Sequence, residues 1–138
     1  MTPVCGVDVT HFVDTNVVIY AFGSSLKSET ALTVLSGATI SVQVLNEFAN
    51  VGLRKLQFDR LTLDRLIRDI RWTVGVIVPV TEEIHDLARH IAFRYKLNFY
   101  DSALLAAALL ADCDIFYSED LQDGLMIENQ LIVRNPFA

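Results

Sequence analysis

The chain has 138 residues, of which 52% are hydrophobic and 20% charged, enough for one domain with a sizeable core. Eleven basic against seventeen acidic residues give a net charge of −6 and a pI near 4.9, the wrong sign for a protein resting on a broad basic footprint for phosphates. The apolar content exceeds that of an average soluble domain, so part of the surface is expected to face a partner, either a second copy or another protein.

Residues 1–10 contain Pro3 and Gly6, show no period and lack the basic and apolar parts of a signal peptide. They are expected to form a loose extension ahead of a domain spanning 11–138. His11 to Val13 reads as a strand, and Asp14 as the N-cap of a short helix over Thr15 to Phe22. Gly23-Ser24-Ser25 breaks that helix, and a second one is expected from Leu26 to Leu35 with Ala31, Leu32 and Leu35 inside. Ala38 to Ser41 follows as a strand, and Ser41 is a good cap for the next helix.

That third helix, about Val42 to Lys55, has the clearest pattern. Val44, Leu45, Phe48, Val51 and Gly52 share one arc, while Gln43, Glu47, Asn50 and Arg54 form a polar stripe at its margin. Glu47 lies closest to the apolar edge. Arg54 sits about two turns, roughly 10 Å, further along.

Asp64 to Thr73 is expected to be helical with Leu66, Ile67 and Ile70 inside, and Trp72 reads as a core or interface aromatic. Val74 to Val80 suits a short buried strand of a parallel sheet. Thr81 caps a helix whose apolar stripe is Ile84, Leu87, Ala88, Ile91, Ala92 and Tyr95; His85, Arg89, His90 and Arg94 fall on its solvated side. Asn98 opens a helix to Ala111 that is apolar nearly all round, with Asp101 on a face carrying no other polar residue. Asp114 to Tyr117 and Leu131 to Val133 are the last strands, with a turn at Asp123-Gly124. The alternation predicts a three-layer α/β/α domain around a mostly parallel sheet of about five strands.

Four acids from four parts of the chain converge in this plan. Asp14 and Asp120 follow strands whose carboxyl ends share one edge of a parallel sheet, where open α/β folds build their sites. Each acid also has a plain structural reading: Asp14 and Asp101 as helix-start residues, Asn98 and Asp101 having capping-box spacing, Glu47 as a surface acid and Asp120 as a turn residue. Brought together, four carboxylates repel, and a divalent cation removes the conflict. Mg²⁺ or Mn²⁺ suits oxygen ligands without His or Cys, and such a site can hydrolyse a phosphodiester. Two bound ions would also bring the charge from −6 to about −2.

Asp14-Thr15-Asn16, Glu47 within Ser41 to Phe48, Asp101 within Phe99 to Leu104 and Ser118-Glu119-Asp120-Leu121 resemble, in order and spacing, the four acidic blocks of the PIN-domain nucleases. Val133-Arg134-Asn135-Pro136-Phe137 is similar to the end of VapC-type toxins, the ribonuclease members of toxin–antitoxin pairs. The resemblance implies that Asp14, Glu47, Asp101 and Asp120 hold one or two metal ions for cleavage of RNA; Asp14 and Asp101 are expected to be direct ligands, with Glu47 and Asp120 completing the site through water or orienting the nucleophile. It also implies supporting polar roles for Thr15, Asn16 and Ser118, an antitoxin protein partner and a homodimer. Asp123 is a candidate accessory acid, with a turn role before Gly124 beside it, and Arg54 a candidate phosphate contact.

Two other readings stay open. The chain can be a PIN-fold binding or regulatory module with weak catalysis, a reading that the negative charge and few basic residues keep open and that the presence of all four acids argues against. A magnesium-dependent phosphatase-like hydrolase also places an Asp after its first strand, but expects a second Asp where Asn16 stands. Phosphate loops and nucleophile elbows are absent. Cys5 and Cys113 have no metal or disulfide spacing and read as free thiols of a reducing cytoplasm, and the longest apolar run, Ala103 to Ala111, is about half a membrane span.

Overall fold

The computed structural model describes residues 9–138. The elements run β1 (His11–Val13), α1 (Thr15–Ala21), α2 (Ser28–Leu35), β2 (Thr39–Ser41), α3 (Val42–Arg54) and α4 (Arg60–Thr73) in the first half. The second half adds β3 (Val76–Val78), α5 (Glu82–Tyr95), α6 (Phe99–Leu110), β4 (Ile115–Tyr117), β5 (Met126–Ile127) and β6 (Leu131–Arg134). The expected extension falls largely in 1–8, outside the described residues, as does Cys5. Thr10 is tied down, its hydroxyl donating to the Asp112 carbonyl at 2.9 Å.

The sheet order is β3-β2-β1-β4-β6-β5, parallel throughout except that β5 runs against β6. The fold is therefore a three-layer α/β/α domain with six strands, one more than expected. The extra strand is a two-residue arm of a hairpin whose turn residues Glu128 and Asn129 both take positive φ, 52° and 56°. Such hairpin turns favour Asn-Gly, so a Glu-Asn turn carries little signal in sequence. Glu128 is pinned from α5 by the Tyr95 hydroxyl at 2.8 Å and by His90 at 2.9 Å.

The core gathers where β1 and β4 lie side by side. Phe12 and Phe116, paired in register, are fully buried and stack at 5.4 Å with rings nearly parallel. α5 packs on α6, and α1 packs on α2 and α3. Seven residues of α6 are buried, as its all-round apolar sequence requires.

Several local expectations need correction. α2 begins at Ser28, and Leu32 is exposed, because only Ala31 and Leu35 of the helix are buried. α4 starts at Arg60, since Asp59 rather than Asp64 is its cap, accepting from the Thr62 amide at 2.8 Å. β3 is an edge strand with Val76 half exposed, so its apolar run does not mark a buried position. Trp72 is 83% exposed and no part of the core. Ser41 occupies the cap position of α3 but makes no cap hydrogen bond.

Gly75 enters β3 where the chain passes very close to the Gly37 turn. A Cβ there would lie 2.9 Å from the Gly37 carbonyl oxygen, a contact only glycine avoids. Gly37 itself has φ of 73°.

Candidate active site

Strand β1 delivers Asp14 to the sheet's carboxyl edge, at the point where chain connections leave in opposite directions, β2 on one side and β4 on the other. The Asp14 amide donates to the Tyr117 carbonyl at 3.0 Å, so the ends of β1 and β4 are locked together there. One Asp14 carboxylate oxygen caps α1 by accepting from the Thr15 amide at 2.8 Å, and the other accepts from the Ser118 hydroxyl at 2.8 Å. The cap that the sequence predicts for Asp14 is thus formed by one carboxylate oxygen, and the other is held by Ser118.

The next two residues each hold another acid. Thr15 donates through its hydroxyl to Glu47 Oε1 at 2.5 Å, and Asn16 donates through Nδ2 to Asp120 Oδ2 at 2.5 Å. Asp14-Thr15-Asn16 is therefore a hub, because the first turn of a helix fans three successive side chains toward three different neighbours. Ser118, fully buried, completes it: its hydroxyl accepts from the amides of Asp120 at 3.1 Å and Leu121 at 3.3 Å while donating to Asp14. One donor and two acceptor positions of a serine are all used.

Asp101 faces this hub from α6. It is half-buried, and its Oδ2 accepts from Asn98 Nδ2 at 2.8 Å while its amide donates to Asn98 Oδ1 at 2.8 Å, the capping interaction its spacing predicts. Burial raises its pKa, partly offset by Asn98, with Asp120 and Glu47 adding repulsion. Asp14 is shifted further, from 3.8 to about 6, first by burial, against the hydrogen bonds from Ser118 and Thr15, then by the charges of Asp101 and Asp120. Those mutual effects connect all four acids in one electrostatic neighbourhood.

Among the described residues no three acid, His or Cys side chains form a ready-made ion cage. A hard divalent ion that keeps several waters is held by one or two carboxylates, and needs no such cage. The donor set, carboxylates alone with the most buried of them reluctant to ionise unaided, fits such an ion. Beside Glu47 lies an open groove of about 370 Å³ lined by Gln43, Asn46, Glu47, Asn50 and Tyr100.

Other candidates sit elsewhere. Asp123 is exposed and accepts from the Asn135 amide at 3.0 Å, tying the C-terminal segment to the turn. Arg54 is exposed in the last turn of α3. Glu119, inside the same block as Asp120, instead binds Lys27 at 2.6 Å and the Tyr20 hydroxyl at 2.5 Å, and Lys27 also lies 5.2 Å from the Phe137 ring centre. Lys27 and Tyr20 hold the Glu119 carboxyl below its usual range. Gln43 was missed as a site residue; its Nε2 donates to Glu47 Oε2 at 3.1 Å, and the signal available was its position four residues earlier on the same stripe.

Comparisons with solved structures show the same fold. A toxin–antitoxin complex from Klebsiella pneumoniae contains a chain 22% identical, with TM-score 0.69, covering 92% of this chain and 98% of that one. A chain of VapBC2 from Rickettsia felis bound to a DNA fragment from their promoter is 15% identical, with TM-score 0.69 and coverage of 92% and 98%. VapC20 of Mycobacterium tuberculosis, described as a sarcin–ricin loop cleaving toxin, is 18% identical, with TM-score 0.62 and coverage of 78% and 87%. No curated protein matches the sequence. The family model described as PIN domain matches residues 11–122, most of the chain and all four acids, and the chain therefore belongs to the PIN domain family.

Proposed function

We propose that this protein is a divalent-metal-dependent endoribonuclease acting as the toxin of a toxin–antitoxin pair. The observation that carries the reading is the hub Asp14-Thr15-Asn16, which holds Glu47 and Asp120 by direct hydrogen bonds and faces Asp101 at the sheet's switch point. Family membership and neighbours drawn from toxin–antitoxin complexes, one of them described as an RNA-loop cleaving toxin, support it.

Asp14 and Asp101 would hold Mg²⁺ or Mn²⁺ directly, and Glu47 and Asp120 would complete the site through water or by orienting the nucleophile. When bound, such an ion supplies positive charge at the scissile phosphate and a water of lowered pKa. Ser118 and the Thr15 amide hold both oxygens of Asp14 in place, so its carboxylate need not reorganise when the substrate arrives. Thr15 and Gln43 bind the two oxygens of Glu47 and fix in place a carboxylate that would orient an attacking water and take its proton.

The partner is an antitoxin whose chain covers an apolar groove of about 440 Å³ lined by Ile19, Tyr20, Phe22, Phe48, Phe58 and Leu66, with a basic side chain reaching the acids. A homodimer accords with the exposed apolar Val76 on the edge strand β3; among the described residues no helix is long and apolar enough to cross a membrane.

The test is cleavage of a mixed RNA pool by purified protein with Mn²⁺, against EDTA and the folded variants Asp14→Asn and Asp101→Asn. Loss of cutting in all three controls is expected; cutting that persists in EDTA or in both variants refutes the site. The negative charge favours a second reading, a binding module, and a wild type stripped of partner that binds Mn²⁺ poorly and cuts no RNA would establish it.

A further inference from the structure

A second recess lies against the acidic groove. It is a pocket of about 100 Å³ walled by Ser41 at the end of β2, Thr81, Ile84 and His85 of the α5 start, and Phe99 and Tyr100 of α6. The alanines 103 and 107 leave room at its base. Its walls are aromatic: His85 and Phe99 lie 5.3 Å apart at 55°, and Phe99 and Tyr100 lie 5.7 Å apart at 82°.

The pocket also holds an anomaly. Ser41 is 1% exposed, and its hydroxyl is the one buried side-chain polar atom among the described residues with no hydrogen-bond partner. It stands at a helix cap position without capping, so local structure does not account for it. Buried polar groups are otherwise partnered, and an orphan in a pocket wall points to a partner from outside.

The pocket is continuous with the site. Gln43 and Tyr100 line both recesses; Gln43 holds Glu47, and Tyr100 precedes Asp101.

We propose that this pocket is a nucleobase subsite that takes one pyrimidine of the RNA strand beside the cut, stacked on Tyr100 with Phe99 against its edge, and hydrogen-bonded at that edge by Ser41 and His85. The proposal rests on the ribonuclease reading and deepens it by naming what selects the cut site. Aromatic stacking on an unpaired base is the usual way a protein holds single-stranded RNA, and it is tolerant of sequence. Selection comes from the edge, where a serine hydroxyl both donates and accepts. At about 100 Å³ the recess is smaller than the roughly 150 Å³ cavity that holds a benzene, so it admits the edge of one ring and no two-ring base.

The experiment is cut-site mapping on a random single-stranded RNA library with Mn²⁺, by wild type, Ser41→Ala, His85→Ala and Ala103→Leu, each checked by thermal melting. Ser41→Ala keeps the shape of the pocket, and Ala103→Leu fills it. Wild type is expected to favour a pyrimidine at one position beside the cut, and Ser41→Ala to lower that preference about tenfold, the worth of roughly one hydrogen bond. Ala103→Leu should abolish it.

Cleavage by wild type without base preference, or the same preference in Ser41→Ala and Ala103→Leu, overturns the subsite and leaves the nuclease standing. A change in self-association with unaltered preference does the same, assigning the pocket to a second copy. If wild type cuts no RNA, the ribonuclease reading falls. The pocket is then decided by titrating cytidine and uridine monophosphates against adenosine monophosphate, with the methyl resonances of Ala103 and Ala107 as readout. Shifts confined to the pyrimidines uphold a base site, and no shifts overturn it.

Discussion

At the scale of single residues, Asp14 carries the most consequence. Its pKa of about 6 in the folded protein lies above the ordinary 3.8, so the folded state binds this proton more tightly than the unfolded chain does. Its contribution to stability is therefore present below pH 4 and is lost as pH rises toward 6, by as much as about 3 kcal/mol. Asn at position 14 is neutral throughout, so in EDTA Asp14→Asn should gain stability relative to wild type between pH 4.5 and 7.5. Thermal melts at both pH values check this, and a constant difference would mean that Asp14 ionises normally. Ser118→Ala removes the hydroxyl that serves Asp14, Asp120 and Leu121 together. It should cost about 1–2 kcal/mol of stability and lower Mn²⁺ affinity at least about tenfold, seen by calorimetry. Ser41→Ala should behave oppositely, unfolding at equal or higher urea, because it deletes a buried hydroxyl with no partner in the protein.

At the scale of elements, caps and close approaches set where the site's pieces end. Asp14, Thr81 and Asn98 cap their helices through their side chains, as their residue types predict, and each cap is worth about 1 kcal/mol. Two of those caps lie at or beside an acid of the site, so secondary structure and chemistry draw on the same side chains. Gly75→Ala puts a methyl 2.9 Å from the Gly37 carbonyl, a backbone group with little room to move. A loss of about 1–3 kcal/mol in urea unfolding is expected, with β3 shifted away from β2. The misplaced start of α4 has the same logic in reverse: Asp59 and Asp64 both precede apolar positions, and sequence spacing does not say which one bends back to the amides.

At the scale of the whole molecule, the proposed ion would act on the chain's charge. A chain of net charge −6 that gathers four acids at one sheet edge stores repulsion in its unliganded form. Saturating Mn²⁺, about a hundredfold above its dissociation constant, should stabilise wild type by about 2.7 kcal/mol and leave Asp14→Asn almost unmoved. Scanning calorimetry with and without the ion checks this, and equal stabilisation of both proteins would place the ion elsewhere.

The order of strands and helices and the parallel sheet were readable from residues 11–138 because they depend on local period and on caps. Asp14, Glu47, Asp101 and Asp120 do meet in one electrostatic neighbourhood. What the sequence left open depends on which distant side chains meet. Glu119 and Asp120 are adjacent acids, yet one turns to Lys27 and Tyr20 and the other to Asn16. An apolar run at Val74 to Val80 is consistent with a central or an edge strand, and only the sheet order places it at the edge. Ser41 has the residue type of a cap, and only packing decides that its hydroxyl is buried without a partner. Local propensity acts within a turn or two of chain, whereas burial and hydrogen-bond partnership are settled by segments as far apart as the 104 residues between Asp14 and Ser118.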